Sequence, residues 1–157
     1  MELKEILVNK LIEKQYKIAT AESCTGGLLA ASIVDVANAS KVLDMSFVTY
    51  SNESKIELLG VSENLIKEFG VVSEEVALKM AYGVSKKANA NVGVGISGIA
   101  GPTGGTKDKP VGLMYSTIYT SQKHQTYKIQ VDSSLPRIKI KEEFVKEVLK
   151  NIYEFLD

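Results

Sequence analysis

The sequence is poor in the residues that most often carry protein chemistry: 157 residues include one cysteine, one histidine, no tryptophan and three prolines. A single cysteine forms no intrachain disulfide, and such usage fits a reducing compartment. One Cys and one His leave no Cys/His zinc site to build within the chain, so no metal and no cofactor is expected. An excess of one charge is also missing, because 19 basic side chains balance 19 acidic ones for a formal net charge of zero. Nucleic-acid binders carry a basic footprint, so that class is set aside. No run approaches the roughly 18–20 apolar residues that cross a bilayer. Met1-Glu2-Leu3-Lys4-Glu5 leads into no long apolar segment, so no secretory signal is read and a cytoplasmic location is expected.

The histidine shortage narrows the chemistry further. His124 lies in the polar stretch Ser121-Gln122-Lys123-His124-Gln125 and reads as solvent-facing. A hydrolase built on this chain therefore activates its nucleophile with a base other than imidazole.

What is present is the composition of a folded domain, 45% hydrophobic and 24% charged. Apolar spacing predicts a helix over Leu3–Gln15, a strand over Tyr16–Ala21, a buried helix over Leu28–Val36 and a second strand over Met45–Tyr50. Short helices follow, one over Ser54–Leu59 closed by Gly60 and one from Ser62 to Phe69 closed by Gly70. Ser73 ahead of Glu74 and Glu75 caps a longer helix running to about Ala88. Asn91–Ile96 reads as an apolar strand, Val111–Thr120 and Lys123–Val131 as a hairpin, and Lys141–Leu156 as a closing amphipathic helix. Alternating helices and strands with a late hairpin predict an α/β fold, a mixed sheet with helices on both faces. No repeat, low-complexity tract or linker interrupts the pattern, so one domain over residues 1–157 is expected.

Four features bear on chemistry. Glu22-Ser23-Cys24-Thr25-Gly26-Gly27 is a strand–turn–helix junction, where a hydroxyl meets the positive end of a helix and bare amides. The same residues equally read as a capped helix start, with Ser23 or Thr25 as cap. Tyr50 and Lys55 straddle a turn and could share a cleft, or be a rim tyrosine and a solvated lysine. A lysine serves as a base only where its pKa is depressed. Gly93–Gly98 matches G-x-G-x-x-G, but Pro102 and further glycines follow where a dinucleotide site needs a helix. What remains is a glycine loop, including Gly104 and Gly105, leaving a strand end where Ser97 points a hydroxyl into a crevice. Arg137, the one arginine beside 18 lysines, suits bidentate contact with phosphate or is a surface residue.

Taken in order, Ala21–Gly27, Thr49–Lys55, Leu59–Val61, Gly70–Ala77, Ser97–Gly105 and Lys109–Gly112 closely resemble the CinA C-terminal domain family across nearly the whole chain. That resemblance implies a three-layer α/β/α sandwich with a mixed, mostly parallel sheet, usually a homodimer. It implies a metal-free amidohydrolase that deamidates nicotinamide mononucleotide to nicotinic acid mononucleotide and ammonia. The alternative is a non-catalytic nucleotide-binding or regulatory module on the same fold. By position, Ser23 is the implied nucleophile, Lys55 the base with Tyr50 beside it, and Ser97 a further polar member. Amides around Thr25, Gly26 and Gly27 are the expected oxyanion cradle, and the glycine loop with Arg137 the expected phosphate contacts. Members commonly carry G-D-R-x-x-V-R before the last helix; here Leu135–Lys141 keeps Arg137 and replaces the second Arg by Lys141. Many members also carry an N-terminal domain, and this sequence is expected to be a stand-alone form.

Overall fold

The strand and helix pattern is realised in a computed structural model that describes residues 1–157. The elements run α1 (Leu3–Lys14), β1 (Ile18–Glu22), α2 (Leu28–Val34), β2 (Phe47–Val48), α3 (Asn52–Leu59), α4 (Glu63–Phe69), α5 (Glu74–Lys87), β3 (Val92–Gly98), β4 (Leu113–Tyr119), β5 (His124–Gln130) and α6 (Arg137–Phe155). The five strands form one sheet in the order β2-β1-β3-β4-β5. β1 pairs in parallel with β2 and β3, while β4 is antiparallel to both its neighbours. Four strands thus share one direction and β4 alone reverses.

Helices cover both faces, giving the three-layer α/β/α sandwich. On one face α1, α2 and α6 bury Leu7, Leu11, Ile33, Phe144, Val148 and Ile152 against Ile18, Val94, Ile96 and Met114. On the other, Val76, Met80 and Val84 of α5 pack on Ala19 and Ala21 of β1. Apolar burial of this kind contributes about 1.5–3 kcal/mol per large side chain. The repeated glycines of β3 belong to this second interface. A Cβ on Gly93 would sit 2.2 Å from Ala81 O and one on Gly95 2.3 Å from Ala77 O. Bare backbone there lets α5 lie directly on the strand, so this G-x-G serves packing.

Three elements depart from the sequence pattern. The second strand shrinks from 45–50 to Phe47–Val48, because the Ser46 hydroxyl takes the Thr20 N–H that a longer ladder would use. α2 ends at Val34 and buries only Leu29 and Ile33, so it is half-exposed rather than buried. α6 starts four residues early, at Arg137, with Pro136 at the cap position. Arg137–Lys139 are exposed, whereas Ile140 is buried one turn before Phe144 and extends the apolar stripe toward the helix start. No helix is long and apolar enough to cross a membrane.

Candidate active site

The carboxyl ends of β1 and β3 open into a cavity of about 470 Å³, within the usual range for small-molecule sites. Ser23 follows the last residue of β1, and its N–H donates to Ile96 O at 3.2 Å, prolonging the β1–β3 ladder by one step. The chain then turns through Gly26 (φ +61°) and Gly27 (φ +99°), left-handed positions that glycine adopts without strain.

Lys55 reaches the same point from α3. Ser51 caps that helix, accepting from Ser54 N at 3.1 Å, and Lys55 lies in its first turn. Its side chain is fully buried. Nζ lies 3.1 Å from Ser23 Oγ and donates to Thr49 O at 2.7 Å and Tyr50 O at 3.2 Å. None of the molecule's ion pairs includes Lys55. Burial therefore penalises the ammonium, outweighs the opposing influence of Cys24 and lowers its pKa from 10.5 to about 8. A neutral amine has two N–H donors and one lone pair. With those donors directed at the carbonyls of Thr49, Tyr50 and, at 3.4 Å, Ser51, the lone pair is left for the Ser23 hydroxyl.

The neighbouring thiol behaves differently. Burial pushes Cys24 up to about 12, so it stays protonated and unreactive near neutral pH.

The remaining expected residues divide. Ser97 lines the cavity, but its hydroxyl donates to Val71 O at 2.7 Å, tying β3 to the α4–α5 linker. Tyr50, a residue 64% exposed, contributes its carbonyl to Lys55, whereas its phenol accepts from Arg137 Nη2 at 3.1 Å. The phenol is thus a rim group and not a partner of the lysine. Arg137 lines the cavity, and its Nη1 donates to Gly101 O at 2.6 Å. Gly104 is part of the wall; Gly105 is not, because it packs against Val111, whose N would lie 2.8 Å from an added Cβ.

Thr25, Gly26 and Gly27 do not form the expected cradle. None of them lines the cavity. The reason is Glu22, a fully buried carboxylate that fills the start of α2. It accepts from Leu29 N and Ala30 N at 2.9 Å each, from Thr25 Oγ1 at 2.6 Å and from Thr20 Oγ1 at 2.9 Å. Gly26 N is spent on Ser23 O and Leu28 N on Thr25 O. The amides of Cys24, Thr25 and Gly27 remain without hydrogen-bond partners, and of these three residues Cys24 alone lines the cavity. Lys141 sits over this turn, its Nζ 3.9 Å from an added Gly26 Cβ, and outside the cavity wall.

Two residues of consequence went unread in the sequence. Glu22 could have been flagged as the one charged residue in an otherwise uncharged, fully buried strand. Lys109, next to Pro110, lines the cavity and donates to Phe69 O at 2.8 Å. The wall includes Lys55, Lys109 and Arg137 and no Asp or Glu, an excess of positive charge in a chain that is neutral as a whole.

Comparison with known proteins agrees with this architecture. The CinA-like protein of Kosmotoga olearia is 48% identical over 137 residues, 87% of this chain and 33% of that protein. The CinA-like protein of Dictyoglomus turgidum is 44% identical over 138 residues, 88% of this chain and 34% of that protein. The chain spans about a third of the length of these curated relatives. Among solved structures, the competence/damage inducible protein CihA from Agrobacterium tumefaciens superposes with a TM-score of 0.92 at 33% identity, covering 100% of this chain and 98% of that one. A competence-damaged protein (CinA) superfamily protein from Enterobacter cloacae gives 0.93 at 31% identity, covering 99% and 91%. The profile of the CinA C-terminal domain matches residues 1–156, and the chain belongs to that family.

Proposed function

We propose that this chain is a serine amidohydrolase that deamidates nicotinamide mononucleotide to nicotinic acid mononucleotide and ammonia. The observation that carries the chemistry is the buried, carboxylate-free Lys55 amine 3.1 Å from the Ser23 hydroxyl. Neutral Lys55 takes the Ser23 proton as Oγ attacks the carboxamide carbon. The unpartnered amide of Cys24, the residue of this turn after Ser23 that lines the cavity, is the donor available to the oxyanion. The tetrahedral intermediate collapses by breaking the C–N bond, and Lys55 returns the proton to the departing nitrogen, which leaves as ammonia. Water then attacks the acyl-enzyme, giving its proton to Lys55, and Ser23 recovers its own. The cationic wall supports an anionic substrate, as a nucleoside monophosphate is.

The reading of a non-catalytic nucleotide-binding module is weakened by the same pair. A buried lysine poised on a serine costs stability that a binding module has no reason to keep. The test is ammonia release by the purified chain from nicotinamide mononucleotide and, separately, from free nicotinamide. Turnover of the nucleotide well above that of the free base supports the proposal. Binding of the nucleotide without ammonia supports the non-catalytic module, and preference for the free base contradicts the substrate.

A further inference from the structure

We propose that Lys109 is the principal contact for a phosphate monoester in this cavity, with Arg137 holding the rim. Resting on the nucleotide reading above, this deepens it by naming where the charged end of the substrate binds. The start of α2, the usual place for an anion beside a serine turn, is already filled by the Glu22 carboxylate. A second negative group there would meet a buried like charge. The phosphate is thereby excluded from that end of the site.

The opposite wall suits it. Lys109 makes one side-chain hydrogen bond, to the neutral Phe69 carbonyl, so two of its three ammonium donors are free. None of the molecule's ion pairs includes it, and no acid lines the cavity. Its approach is built in: a Cβ on Gly70 would lie 2.7 Å from Nζ, so the ammonium passes over bare backbone. The backbone of Lys109 is fixed as well, since its N–H donates to Thr106 Oγ1 at 3.0 Å and its carbonyl accepts from Thr106 N at 2.8 Å. Thr103, Gly104 and Thr106 line the same cavity and add hydroxyls with no bulky side chain between them. In Arg137, by contrast, each terminal nitrogen already donates, one to Gly101 O and one to the Tyr50 phenol. Those two bonds anchor the guanidinium at the rim between the glycine loop and the β2–α3 turn, and its three remaining N–H groups back Lys109 there.

The test compares wild type, Lys109→Met and Lys109→Arg in two assays. Calorimetric titration with ribose 5-phosphate reads the site without any turnover. Lys109→Met is expected to weaken binding about 10- to 100-fold, the loss of one charge-assisted contact, and Lys109→Arg to recover most of it. Ammonia release from nicotinamide mononucleotide and from nicotinamide riboside then reads it during catalysis. The preference for the phosphorylated substrate should fall by the same factor in Lys109→Met, through KM. Absence of ribose 5-phosphate binding to wild type overturns the proposal, as does unchanged binding in Lys109→Met. Equal loss for both substrates does so too, since it marks a purely structural role for the Phe69 contact. Should wild type release no ammonia but bind ribose 5-phosphate through Lys109, the amidohydrolase reading fails and the phosphate site stands.

Discussion

Replacing Lys55 by methionine isolates the energetic cost of the proposed base. Met is unbranched, of similar length and apolar, so it fills the channel without a charge to desolvate. In the folded protein the Lys55 ammonium titrates at about 8, against 10.5 for an ordinary lysine. Below pH 8 both folded and unfolded chains hold this proton, and the buried charge costs about 3 kcal/mol of stability. Between the two values the unfolded chain keeps the proton and the folded one has released it, so stability rises with pH. From pH 7 to pH 9.5 wild type should gain about 2 kcal/mol relative to Lys55→Met, a relative Tm shift of about 6 °C. Loss of the bonds to Thr49 O and Tyr50 O offsets the variant by a constant that does not vary with pH. Titration of the surface, and of Cys24, is common to both proteins and cancels. Thermal and urea unfolding of the pair at a series of pH values is the assay. Parallel stability curves for the two proteins would refute the depressed lysine.

Catalysis should follow the same group: kcat/KM is expected to rise with pH as Lys55 loses its proton, reaching half its plateau near pH 8, read from initial rates of ammonia release. Glu22→Ala strips four donors of their buried acceptor and should destabilise the fold by about 3–5 kcal/mol, measured by urea unfolding; a loss within 1 kcal/mol would refute its clamping role. Gly95→Ala drives a methyl to 2.3 Å from the Ala77 carbonyl and should cost about 1–3 kcal/mol by forcing α5 off β3, again seen in unfolding midpoints.

Much of the fold is written locally. Ser62 and Ser73 cap α4 and α5, and Gly60 and Gly70 end α3 and α4, because short-range hydrogen bonding and left-handed φ decide those boundaries. What stayed illegible depends on partners distant in sequence. β2 is cut short by a side chain, Ser46, that substitutes for a backbone acceptor. The three exposed residues Arg137–Lys139 that open α6 after the Pro136 cap carry no apolar signal, although Ile140, one turn before Phe144, already belongs to the stripe. The site shows the same division. Ser23 at a strand–turn–helix junction and the glycine loop are visible as patterns, yet spacing alone favours a solvated Lys55 over a catalytic one. Its meeting with Ser23, 32 residues away, depends on the parallel register that sets Ala21 opposite Phe47 and Glu22 opposite Val48. Glycines at a helix start suggested an anion cradle at residues 25–27; a carboxylate from the preceding strand occupies that place instead. Tyr50 was legible as a neighbour of Lys55 but not as one that acts through its carbonyl.

The central claim is that Ser23 is the nucleophile, and the Ser23→Ala protein tests it most directly. The substitution removes one hydroxyl from a nearly buried position, so the variant should fold and melt close to wild type. Assayed with nicotinamide mononucleotide near pH 8, it is predicted to release ammonia at least on the order of a thousandfold more slowly than wild type. Undiminished ammonia release by the folded Ser23→Ala protein would contradict the account.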